Sequence, residues 1–319
     1  MPVAEQEVDR DRAARVLEAY PEIAGEDLRL LGVGWDNTVW LVDERWTLRL
    51  PRRAAALPLL ERELTVLRAL AGRLPLPVPE PAYVVGPAAD FPWPSWAAPV
   101  VPGVELAHAG IADEDRVDLG AQVGGFLAVL HAQTPPPGLP HDPNRRADMA
   151  VRVPWAREAV ARAVGQGLVG AAPDGFEALA TEADALPPTE RTVLCHGDLH
   201  LRHVLVALRS GGRGTADTAD TAAAPGGWAA AGVIDWGDAC LADPALDLSF
   251  AYAALTGAAR EAFLTGYVDG GGTAPDRPTE VRARLVAAGL CAMLATTGAE
   301  GGDPALVSEN VRGIARALA

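Results

Sequence analysis

The sequence predicts an α+β protein: a strand-rich first third followed by a larger, mostly helical part. Three observations carry that expectation. Leu28 to Leu50 reads as strands, with alternation at Val39 to Val42 and a turn at Asp43 and Glu44. From about residue 113 onward, segment after segment carries apolar residues at helical spacing. At 319 residues the chain is also long enough for two parts, each with its own core.

Val8 to Tyr20 has the helical spacing of a surface-packed helix, and Pro21 closes it. Gly32 and Gly34 fall between the first two strands, followed by Trp35. A G-x-G on its own is more often a turn than a phosphate cradle. The third strand, Trp46 to Leu50, ends at Pro51. Leu59 to Leu70 is an amphipathic helix with Leu60, Leu64, Leu67 and Leu70 on one stripe. Pro75 to Pro81 is an extended, rigid link. Tyr83 to Val85 and Trp96 to Val101 supply the last two of five strands.

The remainder reads as a long helix from Asp113 to His131, a Pro-rich loop, and two helices over Arg146 to Leu186 parted by Gly165 to Gly175. Residues 210–227, with a repeated ADT, cannot build a core and are expected to form a mobile surface loop. Asp243 before Pro244 is an N-cap for a helix running to about Thr256. Helices near Arg260 to Tyr267, Thr279 to Thr297 and Pro304 to Leu318 complete the chain.

Hydrophobic residues make up 49% and charged residues 22%, the balance of an ordinary globular protein. Lysine is absent, so all 27 basic residues are arginines. A net charge of −15 excludes a nucleic-acid partner and favours cationic ones. The three cysteines, Cys195, Cys240 and Cys291, are far apart in apolar settings and read as reduced thiols of a cytoplasmic protein, a monomer or weak dimer. The acidic N-terminus lacks the features of a signal peptide. No segment is expected to reach the ~20 apolar residues of a membrane span; Leu285 to Ala295 reads as a core helix.

The chemistry concentrates in TVLCHGDLHLRHVLV, Thr192 to Val206, and GVIDW, Gly232 to Trp236. Each presents an acid, Asp198 or Asp235, at the end of an apolar strand. A carboxylate there costs free energy unless it has a proton, a cation or a metal to act on. His196, His200 and His203 within eight residues could instead form a zinc cluster. Their order is not the helical H-E-x-x-H, and zinc would leave the IDWGD segment unexplained.

The pattern H-G-D-x-x-x-x-H followed by I-D-W-G resembles the protein-kinase set, and the H-G-D form resembles the aminoglycoside phosphotransferase family of small-molecule kinases. IDWGDACLADPALDL, Ile234 to Leu248, is similar to that family's metal-binding strand and following helix. The resemblance covers nearly the whole chain, and is densest at residues 31–53 and 193–248. It implies a bilobal kinase-like fold, with a five-stranded nucleotide-binding lobe over 1–99 and a catalytic, substrate-binding lobe over 100–319.

By the same resemblance Asp198 accepts the proton of the substrate hydroxyl, and His203 and Asp235 hold Mg²⁺. Backbone around Gly32, Gly34 and Trp35 covers the phosphates of ATP or GTP. Arg49, in LRLPRR, stands where the family keeps a phosphate-gripping Lys, with Glu63 as its helix partner. The stretch WAAPVVPGVEL is the hinge, where a nucleotide base meets Ala98, Val100 or Val101, since Pro99 has no N–H to give. His131 braces the catalytic loop.

The implied reaction moves a γ-phosphoryl group to a hydroxyl of an aminoglycoside antibiotic. Alternatives are a macrolide, a metabolic hydroxyl compound, or a non-catalytic binder. Asp238, Glu300 and Asp303 would attract a polycation, whereas His203 in place of Asn is similar to macrolide phosphotransferases. Trp155 and Phe176 would line an apolar substrate wall.

Overall fold

A computed structural model describes residues 3–23, 25, 27–88, 91–170, 173, 175–189, 191–209 and 227–319. Of the expected surface loop at 210–227, all but Gly227 lies outside the described residues. The chain divides into two compact units. One comprises Met1–Arg73, Pro77–Val101 and Ile234–Ala239; the other comprises Leu74–Leu76, Pro102–Val233 and Cys240–Ala319. The segment carrying Asp235 thus belongs with the strand-rich first part, although the strand leading into it belongs to the second.

In the first unit β1 (Leu28–Val33), β2 (Asn37–Val42), β3 (Trp46–Pro51), β4 (Tyr83–Val85) and β5 (Ser95–Pro99) form one antiparallel sheet in the order β1-β2-β3-β5-β4. Alternation buries Trp40, Val42, Leu48 and Leu50 on one face. Helix α1 (Arg10–Leu17), whose first turn is capped by Asp9 accepting the Arg12 N–H at 2.8 Å, lays Ala13, Val16 and Leu17 on that face. Helix α2 (Leu57–Leu70) starts two residues earlier than the leucine stripe predicts, because Pro58 fits the first turn, where no N–H is needed. Its buried side carries the expected four leucines and also Glu63.

The second unit holds α3 (Val117–His131), α4 (Met149–Gly165), α5 (Phe176–Asp184), α6 (Ala245–Ala254), α7 (Gly257–Asp269), α8 (Arg277–Gly301) and α9 (Pro304–Leu318). Helix α3 packs on α7, and α8 packs on α4, α6 and α9. By length and composition α8 could cross a membrane, contrary to the expectation that no segment would. Its burial among α4, α5, α6 and α9 accounts for that apolarity. Short strands complete the unit. β7 (Val193–Cys195) pairs with β10 (Cys240–Ala242), and β8 (Val204–Leu208) lies between β6 (Val104–Glu105) and β9 (Trp228–Val233). This pairing sets Cys195 opposite Cys240, far apart as they are in sequence, and all three thiols are buried and unbridged.

Candidate active site

The loop between β7 and β8 carries Asp198, with its side chain 31% exposed. Gly197 takes φ of +87°, a conformation that side chains resist, and it turns the chain so that Asp198 projects from the loop. The loop's backbone is held by an acid from α6. Asp247, fully buried, accepts the N–H of His196 at 2.8 Å and of Gly197 at 3.0 Å. His131 supports Asp247 from α3. Its Nε2 lies 3.2 Å from the carboxylate and its Nδ1 2.8 Å from the Tyr267 hydroxyl. An ionised carboxylate only accepts, so Nε2 donates, and in the neutral ring Nδ1 accepts from Tyr267. Burial pushes the Asp247 carboxyl up, but the His131 bond, the histidine charges and the backbone donor outweigh it and hold the group below its usual value.

Two more groups clamp the loop. Arg146 donates to the Gly197 carbonyl at 2.6 Å and is itself paired with Asp142. His203 donates from Nδ1 to the Asp198 carbonyl at 2.8 Å, which fixes its tautomer and puts the ring lone pair on Nε2. The rings of His200 and His203 stack at 3.7 Å, and Asp198, His200 and His203 could together hold an ion. His196 is not among these groupings. Its Nδ1 instead accepts the Asp198 N–H at 3.3 Å, so the three-histidine zinc reading does not describe the loop.

In the first unit, Asp235 follows β9 by two residues and takes φ of +68°, the strained left-handed region for a side chain. Helix α2 secures the segment after it. Glu63 accepts the Trp236 N–H at 3.2 Å, and Arg62 donates to the Gly237 carbonyl at 3.3 Å. The same Glu63 oxygen accepts from Arg49 at 2.9 Å, the pair expected from the sequence. Burial raises the Glu63 pKa; Arg49 opposes this, and Asp235 and Asp238 add to it. Arg49 lies over the Trp96 ring at 5.2 Å, and its buried Nε has no hydrogen-bond partner.

The nucleotide-site candidates fare differently from one another. Gly32 lies in β1 beside a register shift, and Trp35 is 54% exposed. Gly34 donates its N–H to Asn37 at 2.8 Å, closing the β1–β2 turn, so that donor is not offered to phosphates. Val100 donates to the Arg45 carbonyl at 2.8 Å, which corrects its assignment as a base-binding donor. Ala98 pairs with Thr47 in the ladder of β3 and β5, whereas Val101 lies beyond the end of β5.

The substrate-side candidates are placed as follows. Asp238 sits in the first unit in the electrostatic surroundings of Glu63, while Trp155 lies on α4 of the second. Asp303 caps α9 by accepting the Leu306 N–H at 2.9 Å and pairs with His108 at 2.8 Å, and Glu300 meets Gln166. Phe176 is buried at the start of α5. Sequence reasoning missed Asp247, Tyr267, Arg146 and Arg62 as positioning groups. Asp247 lay in plain view within the ADPALDL segment, but nothing local marks the other three.

A family model described as "Phosphotransferase enzyme family" (APH) matches residues 27–216 and 222–284. No curated protein matches the chain. Among solved structures, the GDP and kanamycin complex of APH(2")-IIia is similar with a TM-score of 0.66 at 20% identity, over 97% of this chain and 98% of that one. Macrolide 2'-phosphotransferase MphH from Brachybacterium faecium gives 0.60 at 22% identity, over 95% and 97%. ADP-bound APH(2'')-Ib gives 0.55 at 16%, over 98% and 99%. At such identities these likenesses show the fold, which is kinase-like, with a five-stranded sheet followed by a helical part. With the family match spanning most of its length, the chain belongs to the phosphotransferase enzyme family and is a small-molecule O-phosphotransferase.

Proposed function

We propose that the protein transfers the γ-phosphoryl group of ATP or GTP to a hydroxyl of an antibiotic-like small molecule, with Asp198 as the group that orients the hydroxyl and accepts its proton. The mounting of Asp198 carries this reading. Its loop is held by Asp247, Arg146 and His203, yet its carboxylate stays partly open to solvent. Phosphoryl transfer gains chiefly from positioning and electrostatics, and a clamped loop supplies the former.

On the donor side, the buried Nε–H of Arg49 has no protein acceptor and suits a phosphate oxygen, with Glu63 fixing the guanidinium by its other edge. The hinge donor to a nucleotide base is Val101, since Pro99 has no N–H and Val100 is committed to Arg45. By the family resemblance Asp235 and His203 are the candidate metal ligands, a carboxylate and an imidazole by chemistry, though Mg²⁺ favours oxygen. Bound there, Mg²⁺ would neutralise charge on the phosphates. The GDP and ADP complexes of similar structures support a nucleoside triphosphate donor, and the kanamycin complex and the macrolide enzymes support an antibiotic-like acceptor.

Asp198→Asn tests the reading. It should lower kcat by about 10²- to 10⁴-fold while leaving nucleotide affinity nearly unchanged, because the group acts on the hydroxyl proton and not on the donor. Turnover equal to the parent's would remove Asp198 from the mechanism.

A further inference from the structure

We propose that the acceptor carries an anionic group, a carboxylate or a phosphate, close to the hydroxyl that is phosphorylated, and that Arg152 grips it. This rests on the phosphotransferase reading above and narrows its acceptor. A narrow cleft beside Asp198 is walled by Leu199, by Leu246 and Ser249 of α6, and by Val286 of α8; Arg152 of α4 lines it too. All of these residues belong to the second unit.

Arg152 is placed there with its donors unspent. No hydrogen bond or ion pair of its guanidinium occurs among the described residues, and its Nε is buried without a partner. The guanidinium carbon sits 3.7 Å from the centroid of the Trp155 ring, so stacking fixes the plane and leaves the edge to bind. Trp155 reaches this position because α8 has Gly289 opposite it: a Cβ there would come within 2.4 Å of the indole. The neighbouring Arg146 is already joined to Asp142 and the Gly197 carbonyl.

A half-buried cation beside a second cation, with no carboxylate bonded to it, costs free energy that an anion would recover. Burial first, and then repulsion from Arg146, lower the Arg152 pKa to about 10, against the opposing pull of the Asp142 and Asp198 carboxylates. The planar fork suits two parallel bonds to carboxylate or phosphate oxygens. The walls come from α6 and α8, and none from the strands carrying the nucleotide-site candidates, so the anion belongs to the acceptor and not to the donor. The net charge of −15 draws cations at long range, whereas the contact chemistry at Arg152 selects an anion.

The test pairs gluconate and glycerate with their neutral amides and adds kanamycin as a polycation. Binding is followed by calorimetry, and consumption of Mg-ATP and Mg-GTP is followed in parallel, for the parent, Arg152→Met and Arg152→Lys. The acids should bind the parent about 10- to 100-fold more tightly than their amides, as charge-assisted pairs do. Arg152→Met should erase that preference, and Arg152→Lys should restore part of it. Acids no tighter than amides, a preference surviving Arg152→Met, or kanamycin turnover with KM indifferent to Arg152 would each overturn the inference. Loss of inorganic phosphate binding in Arg152→Met without any acid preference would assign the arginine to the transferred group instead, and also overturn it. Mg-nucleotide binding by the parent and its loss in Asp235→Ala report on the phosphotransferase reading separately, whatever the Arg152 variants do.

Discussion

Glu63 and Asp247 do the same job in different units. Each is a buried carboxylate that accepts backbone N–H groups beside a candidate working acid, Trp236 next to Asp235 in one case and His196 and Gly197 next to Asp198 in the other. Their side chains are 2% and 0% exposed, so burial does not distinguish them. Yet the Glu63 pKa is raised and that of Asp247 lowered. Glu63 draws Arg49 and Trp236 onto a single oxygen and has two acids nearby, whereas Asp247 uses both oxygens, and after burial the main influences on it are His131, His196 and the Gly197 N–H. The balance of donors over neighbouring charge, not depth, decides whether a buried acid stays ionised. Backbone strain is also placed differently: Gly197 takes it up for Asp198, while Asp235 bears it itself.

The contrast breaks most visibly at Asp247. Asp247→Ala should orphan two backbone N–H groups and His131, costing about 3–5 kcal/mol of stability in urea unfolding, with kcat falling as the loop loosens. A loss under about 1 kcal/mol would mean that the loop holds itself. The same residue sets the acid limb. Because its folded pKa is depressed, its stabilisation is complete above the usual carboxylate value of 3.8 and is lost as pH falls through the lowered one. The stability gap between parent and Asp247→Asn should therefore be flat at neutral pH and shrink only below about pH 4.

Glu63→Gln should cost less, about 1 kcal/mol, since an amide oxygen can still accept from Trp236 and the charge lost was disfavoured there. Its larger effect should be a rise in the nucleotide KM as Arg49 loses its anchor; an unchanged KM would separate the pair from nucleotide binding. The smallest expected change has the opposite sign. Asp235→Gly should relieve the positive φ and raise stability by up to about 1 kcal/mol while abolishing Mg-dependent nucleotide binding. A stability loss would show that the carboxylate's contacts outweigh the strain.

What the sequence by itself determined was local. Periodicity and caps give β4 at Tyr83–Val85 and α9 at Pro304–Leu318 residue for residue, and α3 and α4 to within a turn or so, because hydrophobic spacing and turn chemistry are properties of neighbouring residues. The Arg49–Glu63 pair and the His131 brace were legible too, through a family likeness that had already encoded distant contacts. Only the tertiary structure decided the rest. Asp247 reaches the Asp198 loop across about fifty residues of chain, Val100 gives its N–H to Arg45, and Asp303 caps α9. Arg152 shows no helical or motif signal; its meaning comes from Trp155 beneath it, Gly289 making room for that ring, and Asp198 across the cleft. A side chain's spent and unspent hydrogen bonds are set by what packs against it, and packing joins residues whose distance along the chain no local pattern records.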